Sequence, residues 1–156
     1  MSLMDIIKRR YSCRNYESKE VEQDKLDKIL EAARLAPSAK NLQDWRFVAV
    51  TEQATKSRLA SVTNRPEAFE KAGVILAACS NNADKMTCGQ KIGPIDVSIA
   101  LEHIALQATE LGLATCWIGS FDAEEVANTL HIPDDIEIIQ LMALGYPADD
   151  PKAADR

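Results

Sequence analysis

Residues 8–16 read KRRYSCRNY, placing Lys8, Arg9, Arg10 and Arg14 within seven positions of a chain whose formal net charge is -6. Arginine presents a rigid, planar fork of donors that grips a phosphate through two parallel hydrogen bonds. Arg10 and Arg14, with the Ser12 hydroxyl between them, therefore form a candidate anion site. A solvated helix end is the competing reading, because cations interact favourably with a helix C-terminus. That reading accounts for Lys8 and Arg9, but less readily for Arg14, which lies beyond the helix. No GxGxxG or GxxxxGK motif occurs, so a bound phosphate would be held by side-chain cations instead of a glycine-rich backbone nest.

Two further stretches have types suited to binding a flat, polar ligand. In PSAKNLQDW (37–45), the carboxamides of Asn41 and Gln43 both donate and accept, which suits the edge of a heterocycle, and Ser38 adds a hydroxyl. The same residues also suit an ordinary turn between helix and strand. In GLATCWIGSF (112–121), Gly112, Ala114 and Gly119 allow close backbone approach, and Trp117 offers an aromatic wall. Cys116 is placed as a small buried hydrophobe, because neither His103 nor His131 is positioned to pair with it. His103, on an apolar helix, reads as an interior or interface residue, and His131 as a helix-end residue. Two histidines and four cysteines without CxxC spacing exclude a zinc-type metal centre and a dense disulfide framework.

These stretches must be held by a fold of 156 residues, enough for one domain spanning 1–156 with a hydrophobic core. Leu3, Ile6 and Ile7 mark a short helix ending near Arg9, and residues 22–36 a second helix stopped by Pro37. WRFVAV, VILAACS, ATCWIG and IEIIQLMALGYP read as strands. Thr51 is the expected cap of a third helix reaching Val62, and a short helix is expected over 67–71. The polar run 80–93 reads as the least structured part. Pro94 suits a first helical position, and Gly112 suits the left-handed residue after the last turn. Between them the helix is apolar on more than one face, which demands cover from several sides, a second subunit among them. Asp122 and Glu125 form a carboxylate capping box for a helix to Leu130. Strands separated by helices predict an α+β layered fold. Excess acid argues against a nucleic-acid surface, and no segment has the length of a membrane span. The opening MSLMDIIKRR has too short an apolar stretch for a signal peptide, so the expected location is the cytoplasm.

Taken together, RRYSCRNY, APSAKNLQDWRF, LGLATCWIGSF and LMALGYPAD, in this order across residues 3 to about 150, resemble the nitroreductase family of FMN-dependent NAD(P)H oxidoreductases. The resemblance implies a mainly antiparallel central sheet flanked by helices, and a homodimer with two FMN sites at the subunit interface. It assigns Arg10, Ser12 and Arg14, with Arg9 as an addition, to the FMN phosphate and ribityl chain. Pro37, Ser38, Ala39 and Asn41 match the loop that reaches the same flavin from the other subunit. Ile118 or Gly119 matches the backbone amide near flavin N5, and Lys152 or Arg156 a closing cation at the phosphate. Two departures stand out: Asp44 replaces the proline that usually precedes this tryptophan, and the segment 74–93 is too short for the helical cover found in longer members.

The implied activity is hydride transfer from NAD(P)H, through flavin N5, to a quinone, nitroaromatic or similar acceptor by alternating reduction and reoxidation. No protein nucleophile or metal is needed, because the cofactor carries the chemistry. The alternatives within this resemblance are a flavin-dependent dehydrogenase, dehalogenase or oxygen-using enzyme, and a non-catalytic flavin-binding dimer.

Overall fold

Apolar continuity selects the centre of the sheet. VILAACS forms β2 (Val74–Ser80), buried at every position, and β4 (Glu137–Gly145) is buried from Leu141 onward. A strand without polar alternation needs cover on both faces, and these two take the inner places. The computed structural model describes residues 1–149. With β1 (Trp45–Val50) and β3 (Ala114–Ile118) outermost, the sheet order is β1-β2-β4-β3, antiparallel throughout. The fold is α+β, as expected.

Side-chain alternation then assigns the helices. Val74, Leu76 and Ala78 face a core shared with α2 (Gln23–Arg34) and α5 (Ile92–Glu110). Ile75, Ala77 and Cys79 face the opposite core, closed by α3 (Gln53–Ser61), α4 (Pro66–Phe69) and α6 (Ala123–Leu130). Along α5, Val97, Ala100, Leu101, Ile104, Ala105 and Ala108 are fully buried within this one chain. Each large one contributes roughly 1.5–3 kcal/mol of transfer free energy. The cover that α5 demands thus comes largely from its own chain. Exposed apolar side chains gather on and just before α1 (Leu3–Arg9), at Met1, Leu3, Met4 and Ile7, with Leu35 and Leu42 elsewhere and Ile95 on α5 itself.

Several boundaries differ from expectation for local reasons. The second helix ends at Arg34 with Leu35 as its cap, short of Ala36. Proline disfavours the helical conformation in the residue before it, and the chain leaves the helix early. Glu52, not Thr51, caps α3; its carboxylate accepts from Ala54 N, Thr55 N and Thr55 Oγ1. The short helix runs Pro66–Phe69, with proline at its start, instead of 67–71. Pro94 is third in α5, after Ile92 and Gly93, where its missing N–H still lacks an intrahelical acceptor. Asp122 accepts from Glu125 N at 3.1 Å, and Gly112 takes φ +78 after the end of α5. The run 80–93 is more ordered than expected: Lys85 bridges Lys91 across a tight turn in which Gly89 N–H donates to Met86 O at 2.8 Å.

The basic segment also gains a partner that periodicity did not reveal. After Arg9 the chain is extended, and Ser12 pairs in parallel with Thr115 on the outer edge of β3, where Cys13 N–H donates to Thr115 O at 2.9 Å. Tyr16 anchors its far end, its buried hydroxyl lying 3.1 Å from Cys13 O and 3.4 Å from Ala143 O. Replacing Tyr16 with phenylalanine removes this donor and leaves buried carbonyls short of a partner. The expected loss is about 1 kcal/mol in urea unfolding. An unchanged midpoint would show that the hydroxyl does not anchor the segment.

Candidate functional site

An extended backbone sends alternate side chains to opposite sides, so Arg10, Ser12 and Arg14 share one face and Tyr11 and Cys13 the other. Cys13 is buried beneath, whereas Ser12 and Arg14 are exposed. Arg14 Nη1 lies 3.4 Å from Ser12 O, which ties the guanidinium back to its own strand. Arg10 is largely covered and lies 3.9 Å from the Glu102 carboxylate on α5. Among the described residues, exposed Arg9 reaches only Met1 Sδ, at 3.6 Å. Among the described residues no carboxylate pairs with Arg9 or Arg14, so the cationic face is open at this point. Directly behind it, the buried Thr115 hydroxyl has no hydrogen-bond partner among the described residues.

The second stretch is held in an unusual shape. Residues Ala39–Asn41 form a 3-10 turn in which Lys40 and Asn41 take φ 52 and 56, and Gln43 follows at 57. Left-handed conformations of residues other than glycine cost on the order of 1–3 kcal/mol each and persist only where surrounding contacts impose them. Three contacts do so here. Gln43 N–H donates to Ser38 Oγ at 3.0 Å; Ala39 N–H donates to both Asp96 oxygens, at 3.1 and 3.0 Å; and Asn82 Nδ2 donates to Asp44 Oδ2. Asp44, the departure from the proline pattern, is thereby the link between this loop and the turn after β2. Pro37 and Asn41 are exposed, and Ser38 and Ala39 half-buried.

The third stretch ends β3. Ile118 is buried and Gly119 exposed, and a Cβ on Gly119 would meet only the Gln140 carboxamide, at 3.7 Å. The backbone there is open to a ligand. Gln140 sits beside a β-bulge, where the register of β4 against β2 shifts between Ala78 and Cys79. Bulges re-aim neighbouring side chains and recur next to active sites.

Within one chain the basic segment and the Ser38–Gln43 loop both dock on α5, through Glu102 and Asp96. Six residues separate these, about 9 Å along the helix. A cleft of about 610 Å3 lined by Lys19, Glu52, Lys56 and Lys71 lies at the other end of β1 from this loop. Lys152 and Arg156, the expected closing cations, lie outside the described residues.

The profile of the nitroreductase family matches residues 7–64 and 55–146. The chain belongs to that family. A nitroreductase family protein from Clostridium novyi NT superposes with a TM-score of 0.91 at 34% identity, covering 99% of this chain and 89% of that one. An FMN-dependent nitroreductase from Clostridium difficile R20291 gives 0.83 at 30% identity, covering 97% and 91%. A curated protein of Methanothermobacter thermautotrophicus is 30% identical over 99% of this chain and 82% of its own length.

Four residues of this family member escaped the sequence reading: Asp96, Asn82, Thr115 and Gln140. Asp96 and Asn82 act on backbone and side-chain groups far away in the chain, which no local spacing encodes. Asp96 carried one signal, an acid near the start of a largely apolar helix. The cysteines follow expectation. Burial pushes the Cys79 thiol up to about 11 and raises that of Cys116, although Arg14 and Arg65 pull the latter down. A raised native pKa means that the unfolded thiol ionises first, so both groups favour folding at neutral pH, and Cys79 loses that contribution as pH rises from about 9 towards 11. His103 is half-buried, with Nδ1 3.2 Å from Ala32 O of α2, and His131 takes the left-handed position that ends α6. At pH 8 a thiol reagent should therefore modify exposed Cys88 quickly and the other three only after denaturation. Fast native labelling of Cys116 would give that thiol a chemical role.

Proposed function

We propose that the protein is an NAD(P)H-dependent FMN oxidoreductase that passes electrons to a quinone, a nitroaromatic or a similar small acceptor. It would act as a homodimer with FMN at the subunit interface. The observation that carries this reading is the basic segment paired with β3, the strand that ends at Ile118: Ser12 and Arg14 are exposed on it, no carboxylate pairs with Arg14 among the described residues, and Arg10, two residues before Ser12, is largely covered beside Glu102. The donor chemistry fits the cofactor. Two guanidiniums and a hydroxyl suit a phosphate, and an unobstructed glycine amide suits the edge of a flat ring. The exposed apolar side of α1 supports an interface between two copies.

When bound, FMN supplies hydride transfer between a reduced nicotinamide and the second substrate. Arg10, Ser12 and Arg14, with Arg9 in addition, would hold its phosphate and ribityl chain. The loop bearing Pro37, Ser38, Ala39 and Asn41 would reach it from the other subunit. The Ile118 or Gly119 N–H would be the backbone donor near the ring and would favour its electron-rich form. With no long insertion at 74–93, acceptors of varied shape would be admitted.

The test uses protein reconstituted with FMN. Light scattering should give about twice 17.2 kDa. Under anaerobic stopped flow, NADH or NADPH should bleach the oxidised flavin, and a quinone or nitroaromatic should restore it. Bound flavin that neither nicotinamide bleaches would point to a dehydrogenase or a non-catalytic holder, and absence of FMN binding would overturn the reading outright. Arg14→Ala should weaken FMN by about one to two decades and riboflavin much less, because a charge-assisted bond to phosphate contributes roughly 1.5–3 kcal/mol. Equal losses for both ligands, by fluorescence titration of folded dimer, would remove the phosphate from Arg14.

A further inference from the structure

We infer that Asp96 is a positioning residue, whose buried carboxylate on α5 locks the Ser38–Gln43 loop in its left-handed shape by accepting the Ala39 N–H on both oxygens. The inference rests on the reading that this loop meets FMN, and it adds a residue that does not itself touch the cofactor.

The loop cannot cap itself. The first N–H groups of a helical turn lack acceptors, and a serine in the Ser38 position would ordinarily supply one. Ser38 makes no such side-chain bond to the turn, because its Oγ accepts from Gln43 N–H at the other end of the loop. Asp96 takes over the cap from an element 57 residues away, at 3.1 and 3.0 Å. That carboxylate is only 4% exposed and belongs to none of the ion pairs among the described residues. A buried carboxylate is costly unless it is hydrogen-bonded, so the Ala39 amide and Asp96 depend on each other.

A second anchor at the far end, Asn82 Nδ2 donating to Asp44, leaves the strained residues Lys40, Asn41 and Gln43 between two fixed points. Releasing the Ala39 end frees them to relax to ordinary backbone angles. Pre-organisation of the loop is what FMN affinity would then lose.

Two measurements on the full chain separate this role from general stability and from the FMN reading. Hydrogen exchange of the flavin-free protein should show that Asp96→Ala speeds exchange in peptides covering 37–44 but not in β2 or β4. FMN titration of the same variant should show affinity about tenfold weaker or more, as expected for loss of a hydrogen bond to a charged group. Asp96→Asn keeps an oxygen acceptor and should restore both readouts to within a few-fold of wild type. Should Asp96→Ala not fold, Ala39→Pro removes the same bond from the donor side and should produce the same local pattern. Faster exchange throughout the molecule, or unchanged exchange at 37–44, would overturn the lock. Local loosening with FMN affinity unchanged would overturn the positioning role. If wild-type protein itself fails to bind FMN, the functional reading falls, and the exchange data still decide whether Asp96 holds the loop.

Discussion

The burial of α5 against the sheet is the constraint on which the rest depends. Its inner face, from Val97 to Ala108, closes one of the two cores and packs against β2, the strand buried on both sides. Small residues at Ala100, Ala105 and Ala108 let helix and sheet approach closely, and Leu101 and Ile104 fill the space between. With that helix seated, its polar positions become fixed points on which outer segments register. Glu102 lies beside Arg10, and Asp96 accepts from the loop at Ala39. A rigid helix carrying two docked segments is a physical means of holding binding groups from distant parts of the chain at constant spacing.

Charge is arranged with the same economy. The chain is acidic overall, yet its basic segment runs along an exposed sheet edge, and much of its cationic face is free of carboxylates among the described residues. Excess negative charge elsewhere does little to neutralise it, because exposed charges farther apart than a Debye length of about 8 Å are screened at physiological salt. An edge strand with unpaired backbone groups is a pairing hazard. Here the segment covers the edge of β3 through Ser12 and Cys13, so the cationic side chains and the protection of the sheet come from the same few residues.

Backbone strain is concentrated in the loop before β1, His131 at the end of α6 being the other non-glycine position with positive φ among the described residues. Three residues other than glycine with positive φ would be unfavourable in an isolated peptide, and contacts from α5 and from the turn after β2 hold them in place. Asp44 shows how a departure from the family pattern is absorbed. Proline restricts its neighbour through its ring, whereas aspartate reaches the same end by accepting a hydrogen bond from Asn82.

The four strands, the left-handed Gly112 and the layered α+β architecture were legible in the sequence, because periodicity, apolar runs and glycine report local backbone preference and burial; the strand order, with VILAACS inside, was not. The grouping of Arg10, Ser12 and Arg14 was legible as spacing, whereas the extended backbone on which they alternate with Tyr11 and Cys13 came from the structure. The cap of α3 was misplaced by one residue, because Thr51 and Glu52 are both competent and only reach in three dimensions decides between them. The pairing of Ser12 with Thr115, the grip of Asp96 on Ala39, and the Gln140 carboxamide beside Gly119 came from tertiary structure alone. Each joins residues distant in the chain through a single hydrogen bond or contact. Such contacts leave no periodic trace in the sequence, and exist only once the two cores have set the distance between the elements that carry them.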